Sequence, residues 1–201
     1  RSHDLGAGQP ALHLVSAWSV ANQFVLGQEA TDAKSNEITA IPKLLQFLEL
    51  KGAIVTIDAM GCQKEIATKI VEGGGDYVLA VKDNQPTLHA AISDYFLHLH
   101  ESDFTDCEVR RLTTLDNGHG RQERRTYYVT ELPETMRSFH HDWKQLTSIG
   151  QVINITLRDG REVADIRYFI LSSPPNVKRF AAAVRGHWGI ENSLHWTLDM
   201  T

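Results

Sequence analysis

One segment organises the predicted fold, and it reads Lys51-Gly52-Ala53-Ile54-Val55-Thr56-Ile57-Asp58-Ala59-Met60-Gly61-Cys62-Gln63-Lys64. Residues 53–57 are apolar and rich in β-branched side chains, which is typical of a strand buried on both faces of a parallel sheet. The strand ends at Asp58. Because ligands collect at the carboxyl ends of strands in open α/β sheets, a carboxylate held there by a rigid strand is a candidate for chemistry.

After Gly61 the hydrophobic pattern changes to a helical period, and the three glycines at 73–75 stop the helix. The apolar residues of this helix are Ile66, Ala67, Ile70 and Val71. A second apolar run follows at residues 77–81. Strand, helix and strand within about thirty residues predict a βαβ unit with a right-handed crossover.

A second interpretation of Asp58 requires no chemistry. An aspartate that follows a strand often caps the next helix, where its side-chain oxygen accepts a hydrogen bond from a backbone N–H that lacks a partner. The general preference of aspartate for caps and turns favours this interpretation when position 58 is considered alone.

The composition is that of an ordinary globular protein. The 201 residues, 42% of them hydrophobic, suffice for one domain with a buried core and an insertion. Cys62 and Cys107 form no disulfide framework and lie at no zinc-binding spacing, which favours a reducing cytosol. No apolar stretch reaches membrane-spanning length and residues 1–4 lack the apolar core of a signal peptide, so we expect a cytoplasmic location.

Other segments before residue 105 continue the α/β pattern. Residues 13–18 and 23–28 predict two strands of a hairpin that turns around Ala21-Asn22. A polar turn at 82–85 is followed by a helix that begins at Pro86, where the missing N–H of proline costs nothing.

A further helix is predicted from the apolar stripe over residues 38–48. Its Pro42 is tolerated only in the first turn, because a proline in the helix interior removes a backbone hydrogen bond. We therefore expect the helix to begin near Ile38 or Thr39, and Gly52 to end it.

From about Asp106 the hydrophobic period changes to two, which indicates β-structure. The predicted hairpins pair 107–115 with 121–130 around an Asn-Gly turn at 116–119, and 151–157 with 161–171 around an Asp-Gly turn at 158–160. The chain then divides into an α/β core over 1–105, a β-rich insertion over 106–172 and a final helical part of the core over 173–201.

The first of these hairpins carries alternating charges. One face of its second strand holds Arg121, Glu123, Arg125 and Tyr127, and the other holds Gln122, Arg124 and Thr126. Such a ribbon can rest on a phosphate backbone, as a local basic surface in a chain whose net charge is −5. A solvated sheet edge protected by charge explains the same residues equally well.

The C-terminal part predicts a helix over 177–184 and a second helical pattern over 185–196. In the second, His187, Glu191 and His195 stand at i, i+4 and i+8, so their side chains would share one face. A surface stripe opposite two buried tryptophans explains that pattern without chemistry. As a metal site the stripe lacks the paired His-Glu order of the zinc-protease helix.

Four motifs occur in order along the chain. They are Thr56-Ile57-Asp58-Ala59-Met60-Gly61-Cys62-Gln63, Gly74-Gly75-Asp76-Tyr77-Val78-Leu79-Ala80-Val81-Lys82-Asp83-Asn84-Gln85, His119-Gly120-Arg121 and Arg185-Gly186-His187-Trp188-Gly189-Ile190-Glu191-Asn192-Ser193-Leu194-His195-Trp196. With these motifs the chain resembles, over essentially its whole length, the bacterial H-repeat-associated proteins, which are insertion-sequence transposases of the DDE class. The resemblance implies a ribonuclease-H-like α/β fold, in which a mixed sheet is flanked by helices and a β-rich insertion precedes the last helix.

In that class, Asp, Asp and Glu surround two divalent metal ions, and the resemblance assigns Asp58 to the second Asp and Glu191 to the Glu. It implies that His187 and His195 support the metal site or contact the scissile phosphate. Oxygen ligands suit Mg²⁺ or Mn²⁺. The resemblance implies DNA as a partner, both as the transposon ends and as the target. It also implies a second copy of the chain in a homodimer, and it implies no membrane partner. The candidate phosphate contacts are Arg121, Arg124, Arg125, Lys178 and Arg185.

The first Asp of the class lies on a strand that would precede the sequence, and residues 1–3 resemble the end of that segment. Asp4 is the nearest early acid, but it follows the motif. With two of the three carboxylates, Asp58 and Glu191, the two-metal site is incomplete. We therefore expect the chain as given to be a catalytically inactive core fragment of a transposase.

Two other functions stay open at this point. One is a non-catalytic DNA-binding or interaction remnant of a transposase, which would bind duplex DNA in a salt-dependent way without cleaving it. The other is a metal-dependent phosphoesterase that uses His187, Glu191 and His195. In that enzyme Asp58→Ala would be harmless, whereas His195→Ala would not.

Overall fold

The computed structural model describes residues 13–31, 37–105, 107–118, 121–158 and 160–187. The strands are β1 (His13–Ser19), β2 (Phe24–Thr31), β3 (Ile54–Ile57), β4 (Asp76–Val81), β5 (Arg110–Gly118), β6 (Arg121–Glu131), β7 (Ser148–Arg158) and β8 (Arg161–Leu171). The helices are α1 (Glu37–Leu45), α2 (Lys64–Glu72), α3 (Pro86–Glu101), α4 (Ser138–Asp142) and α5 (Val177–His187), and a 3₁₀ turn spans Glu134–Met136. The predicted class, a mixed α/β sheet flanked by helices, is confirmed.

The βαβ unit forms as predicted. β3 and β4 pair in parallel, and α2 connects them. Ile66 and Ile70 of α2 are fully buried, because their spacing of four residues places both on the face that packs against the sheet. Gly73 caps the helix, and Gly74 follows with a φ of +79°, a left-handed conformation that glycine adopts without strain.

β3 is an edge strand within the described part of the chain. The six-stranded sheet runs in the order β3-β4-β8-β7-β6-β5, so β4 is the one described neighbour of β3. Its four residues, Ile54–Ile57, are all half-buried. Both of its faces are covered, since Val55 and Ile57 pack on the side of α2 and Ile54 packs on the side of α5, but its residues are half-buried rather than fully buried.

α1 begins one or two residues earlier than predicted, and it ends at Leu45, well before Gly52, which was predicted to end it. It starts at Glu37, so Pro42 lies in its second turn rather than in its first. After Leu45 the backbone bonds tighten to i−3, as in the bond from the Gln46 N–H to the Lys43 carbonyl (3.2 Å). The helix tolerates the proline because the stripe that includes Ile41 and Leu44 is buried against its neighbours.

The strands of the β-rich segment extend the sheet that begins with β3. β8 pairs antiparallel with β4, and β7, β6 and β5 follow as antiparallel neighbours. β1 and β2 form a separate two-stranded sheet, and their predicted hairpin is confirmed. The division of the chain at residues 105 and 172 stays a prediction.

The first strand of the first long hairpin runs further than predicted. Gly118 is paired with Arg121, so Asp116 and Asn117 belong to β5, and residues 119–120 lie outside the described residues. The Asn-Gly prediction of a turn around Asn117 is therefore wrong. Nine consecutive residue pairs together set the register between β5 and β6. Their combined preference outweighs the turn preference of the single Asn-Gly dipeptide.

Helices cover the long sheet on both faces. α1, α2 and α3 pack on one face against Tyr77 and Leu79, and α5 packs on the other face against Val78. This split follows from the alternation of side chains along β4. The connection between β6 and β7, which was not anticipated as structured, adds the buried Trp143 and Leu146 to the core on the side of α2 and α3.

α5 approaches the sheet closely at one point. Phe180 is 1% exposed and packs against Tyr127 and Phe169, with ring centroids 6.1 and 5.3 Å away. A Cβ at Gly150 would lie 2.6 Å from the Phe180 ring, so only glycine at that position leaves room for it. Phe180 is thus the main anchor of α5.

None of the helices in the described ranges has the length and apolar character required to cross a bilayer.

Candidate functional site

Asp58 stands directly after β3 and closes a tight turn. Its Oδ1 accepts a hydrogen bond from the Gly61 N–H at 3.3 Å. The helix-capping interpretation is wrong, because α2 begins at Lys64 and the residue before it, Gln63, makes no side-chain cap. Asp58 caps its own turn instead, as aspartate commonly does.

The second carboxylate oxygen of Asp58 is available. Asp58 is exposed, and within the described residues its Oδ2 has no hydrogen-bond donor and no basic side chain pairs with the carboxylate. An exposed, uncompensated carboxylate held by a turn at the end of a strand can accept a hard cation without first losing an ion pair.

Two side chains from the next strand end hold the loop that carries Asp58. Asn84 Nδ2 donates to the Ala59 carbonyl at 2.6 Å, and Gln85 Nε2 donates to the Cys62 carbonyl at 2.9 Å. Since β3 and β4 are parallel, their carboxyl ends meet at one edge of the sheet, and residues after β4 can reach the loop after β3. The motif that ends in Asn84-Gln85 therefore positions Asp58.

α5 reaches the same strand from the other side. Thr56 Oγ1 and His187 Nδ1 share a hydrogen bond of 3.2 Å across 131 positions of sequence. Ile54 also packs towards α5, whereas Val55 and Ile57 pack on the side of α2. His187, at the end of α5, is thus docked two residues before Asp58.

We expect Thr56→Val to release His187 while keeping the shape of residue 56. Loss of this half-buried hydrogen bond should lower the free energy of unfolding by about 0.5–1.5 kcal/mol. The direct measurement is the ¹⁵N chemical shift of His187 Nδ1, which should move in Thr56→Val and stay in Thr56→Ser, where the hydroxyl remains. A His187 signal that is the same in all three proteins would contradict the assignment.

Two candidate ligands follow His187 in the sequence, namely Glu191 and His195. Both lie outside the described residues. Within the described ranges, no cluster of three or more His, Cys, Asp or Glu side chains is arranged to hold a metal ion. Of the predicted metal and phosphate contacts, His187 bonds to Thr56, which lies two residues before Asp58 in the same strand segment.

Three of the five predicted phosphate contacts line one groove of about 330 Å³ between α5 and the β5–β6 hairpin. They are Arg125, Lys178 and Arg185. Asp116 lies among them and accepts a hydrogen bond from Arg185 at 2.5 Å. Arg125 forms an ion pair with Glu123 and lies 4.0 Å from the same Asp116 carboxylate.

The other two predicted contacts lie elsewhere. Arg124 is exposed and alternates onto the face of the sheet opposite to α5, because it neighbours Arg125 in one strand. Arg121 is the first residue of β6, and its side chain lies outside what the structure describes. The alternation predicted for this strand therefore holds, and it separates Arg124 from the others.

Cys62, next to the Asp58 turn, is a structural residue. It is fully buried, and this burial raises the pKa of its thiol from the ordinary value of 9.0 to about 12. A thiol that is shielded from solvent and holds its proton is not a candidate nucleophile.

This pKa shift predicts loss of stability in alkali. Below pH 9 the thiol is neutral in both states, whereas above it the unfolded chain loses the proton and the folded chain does not, until about pH 12. The free energy of unfolding should therefore fall by about 1 kcal/mol between pH 8 and pH 10 through this group. Urea unfolding of wild type and Cys62→Ala at both pH values isolates the effect, and an identical fall in the two proteins would refute it.

Several residues of this site escaped the sequence analysis. Thr56 opens a quoted motif and Asp116 was assigned to a predicted turn, but neither was given a role in the site, since their partners His187 and Arg185 lie far away in sequence. Asn84 and Gln85 also belong to a quoted motif, but their role in bonding the Asp58 loop depends on the parallel pairing of β3 with β4.

Comparison with known proteins shows which protein family the chain matches. A family model described as a transposase DDE domain matches residues 1–200. The chain is 44% identical over 202 residues to “Putative transposase YncI” of Escherichia coli O157:H7, covering 99% of the chain and 51% of that relative. It is 39% identical over 203 residues to “H repeat-associated putative transposase YhhI” of Escherichia coli strain K12, covering 99% of the chain and 53% of the relative.

A third relative matches a shorter part. “H repeat-associated putative transposase YbfD” of Escherichia coli strain K12 is 44% identical over 138 residues, which are 69% of the chain and 53% of the relative. The chain thus spans about half the length of these curated relatives. No solved structure matches it.

Proposed function

This chain belongs to the family of transposase DDE domains, and we propose that it forms the core of a DNA transposase that cleaves a phosphodiester bond and transfers the freed strand. The observation that carries the proposal is the hydrogen bond between Thr56 and His187. It docks the helix that leads towards Glu191 against the strand that ends at Asp58. Residue 187, four positions before Glu191 in sequence, is therefore held beside the strand that ends at Asp58.

The donor set fits a hard divalent cation. Asp58 offers a free carboxylate oxygen, and Glu191 would add a second carboxylate from beyond α5. The neighbouring thiol of Cys62 is fully buried and so does not face the surface on which the Asp58 carboxylate is exposed. Oxygen ligands without sulfur are the preference of Mg²⁺ and Mn²⁺.

The chain's own residues have separate tasks in this reaction. Asp58 and Glu191 would hold the cations, which supply stabilisation of the attacking and leaving oxygens in an in-line displacement. The Gly61, Asn84 and Gln85 contacts keep the Asp58 turn in one conformation. A preorganised ligand loses less freedom when the cation and substrate bind.

The basic groove beside α5 would guide the DNA towards this edge. Lys178 and Arg185 stand on the same helix as His187, and Arg125 faces them from β6. Arginine and lysine contacts to phosphates position the DNA without reading its sequence. Arg124, on the opposite face of the sheet, would not take part in that surface.

The test combines metal binding with plasmid nicking by the 201-residue chain. We expect it to bind Mn²⁺ through Asp58 and Glu191 but to nick supercoiled plasmid weakly or not at all, because two carboxylates hold the cations less firmly than three. Mn²⁺ binding that is unaffected by both Asp58→Asn and Glu191→Gln would overturn the proposal. Mn²⁺-dependent nicking that disappears in Asp58→Asn would contradict the expected inactivity and demonstrate the chemistry directly.

The same assays separate the other two functions. A non-catalytic DNA-binding remnant would bind duplex DNA in a salt-dependent way while Mn²⁺ has no effect. A phosphoesterase built on the histidine stripe would lose activity in His195→Ala and keep it in Asp58→Ala.

A further inference from the structure

We propose that the free edge of β5 binds the same edge of a second copy of this chain. The two strands would run antiparallel around a two-fold axis at Thr113, so that two six-stranded sheets join into one. The pairing goes beyond the proposed chemistry, because β5 and β3, the strand that leads to Asp58, stand at opposite ends of the strand order.

β5 is a long edge strand that lacks the usual protection. Within the described ranges it pairs with β6 alone, through nine consecutive residue pairs that contain no bulge. Its sequence includes no proline and no lysine, and the four residues between its charged ends, 112–115, are uncharged. Proteins commonly protect an edge with charge, proline or a bulge, because its unpaired N–H and C=O groups can bind another strand.

The middle of β5 is accessible to a partner. Thr113 and Thr114 are exposed, and Leu115 is exposed over 75% of its surface. The residues of β3, at the other end of the sheet, are all half-buried by comparison. A further strand beside β5 would satisfy its outward backbone groups and cover the exposed leucine.

The charges along β5 match those of a second β5 in one register. A two-fold axis perpendicular to the sheet leaves each face on its own side, so only residues an even number of positions apart can lie opposite each other. When Thr113 lies opposite its own copy, Arg110 lies opposite Asp116 of the second copy, and symmetry forms this ion pair twice. Leu115 then lies opposite Arg111, whose aliphatic stem can cover it.

The two neighbouring registers are less favourable. Moving the axis by one residue towards the start of β5 places Glu108 opposite Asp116, and like charges in directly opposite positions destabilise a strand pair. Moving it by one residue the other way places Leu112 opposite Asp116 and no acidic residue opposite Arg110. A strand that is basic at its start and acidic at its end complements itself when it runs antiparallel, which favours a second copy over an unrelated strand.

Both charged residues can make this additional contact. The Arg110 side chain is 43% exposed, and its ion pair with Glu108 is long, at 3.6 Å. Arg110 also donates to the Pro175 carbonyl, but a guanidinium has five N–H donors. The Asp116 side chain is 50% exposed and accepts from Arg185 at 2.5 Å, with a second arginine of its own chain at 4.0 Å. A carboxylate offers about four acceptor positions, so one further arginine can bind it.

Disulfide formation tests the register. Directly opposite residues of antiparallel strands have Cα atoms about 4.5–5.5 Å apart, a distance that a disulfide can bridge. In a Cys107→Ser background, where the remaining Cys62 is buried, Thr113→Cys should therefore cross-link two chains under mild oxidation. The matched control is Thr114→Cys, because this neighbouring exposed residue would lie about 8 Å from its own copy, too far for a disulfide.

Charge reversal tests the ion pairs, with sedimentation velocity of the full chain as the measurement. We expect a reversible dimer for the wild type and at least about tenfold weaker association for Arg110→Glu or Asp116→Lys alone, because each places like charges opposite each other twice. An equimolar mixture of these two variants should associate as the wild type does, since every basic residue again faces an acidic one. Arg137→Glu, which reverses an exposed arginine outside the sheet, should change nothing.

Four results would overturn the proposal. They are a wild type that stays monomeric at every soluble concentration, single variants that associate as well as the wild type, a mixture that does not recover, and cross-linking of Thr114→Cys as fast as that of Thr113→Cys. Asp58→Asn should abolish metal binding and leave the dimer intact, so failure of the proposed chemistry is a separate result.

Discussion

Replacing Asp58 with asparagine is expected to lower the affinity of the chain for Mn²⁺ by more than about a hundredfold. Even residues that only support metal ligands cost about 10–100-fold in affinity when they are removed, and Asp58 is proposed as a ligand itself. Asparagine removes the charge but keeps a side-chain oxygen that can still accept the Gly61 N–H. The turn should therefore survive, so that the loss reports on metal binding rather than on folding.

Isothermal titration with Mn²⁺ measures this effect. The matched control is Asp94→Asn on α3, which removes the same charge from another exposed aspartate and should leave the affinity unchanged. If Asp58→Asn and Asp94→Asn bind Mn²⁺ as well as the wild type, Asp58 does not hold the cation. Comparable losses in both variants would mean that the metal responds only to net charge.

Replacing Phe180 with alanine is expected to lower the free energy of unfolding by about 3–5 kcal/mol. Its ring is almost completely buried between Tyr127 and Phe169, and it fills the space that Gly150 leaves open. The neighbouring strands cannot close the resulting cavity, because they are held in the middle of a six-stranded sheet. The loss is a large fraction of the stability of an ordinary domain.

Urea denaturation of Phe180→Ala beside Phe47→Ala provides the comparison. Phe47 is 81% exposed, so the same truncation there should change the free energy of unfolding by less than about 0.5 kcal/mol. Because Phe180 anchors the helix that ends at His187, the Phe180 variant should also shift the His187 signal in the way that Thr56→Val does. An effect on stability no larger than that of Phe47→Ala would show that α5 is held by other contacts.

The local elements were largely predictable from hydrophobic period. The parallel β3-α2-β4 unit, the β1–β2 hairpin, α3 beginning at Pro86 and the alternation of Arg124 and Arg125 all follow from patterns confined to a few neighbouring residues. Such patterns predict which side of an element is apolar, and for these elements the structure agrees with the prediction.

The errors of the sequence analysis have a common physical origin. The incomplete burial of β3, the extension of β5 to Gly118 and the start of α1 at Glu37 each depend on interactions that a local pattern does not contain. A sequence pattern shows which faces of a strand are apolar but not how completely the neighbouring elements cover them. An Asn-Gly pair prefers a turn but yields when the register of nine cross-strand pairs places it within a strand.

The sequence by itself places Asp58 at a strand end and contains the motifs by which the chain resembles transposases. The tertiary structure alone decides that Thr56 bonds to His187 and that Asn84 and Gln85 hold the Asp58 loop. The reason is distance along the chain. Local periodicity is set by the backbone geometry of each element, whereas contacts between residues far apart in sequence depend on how whole elements pair and pack.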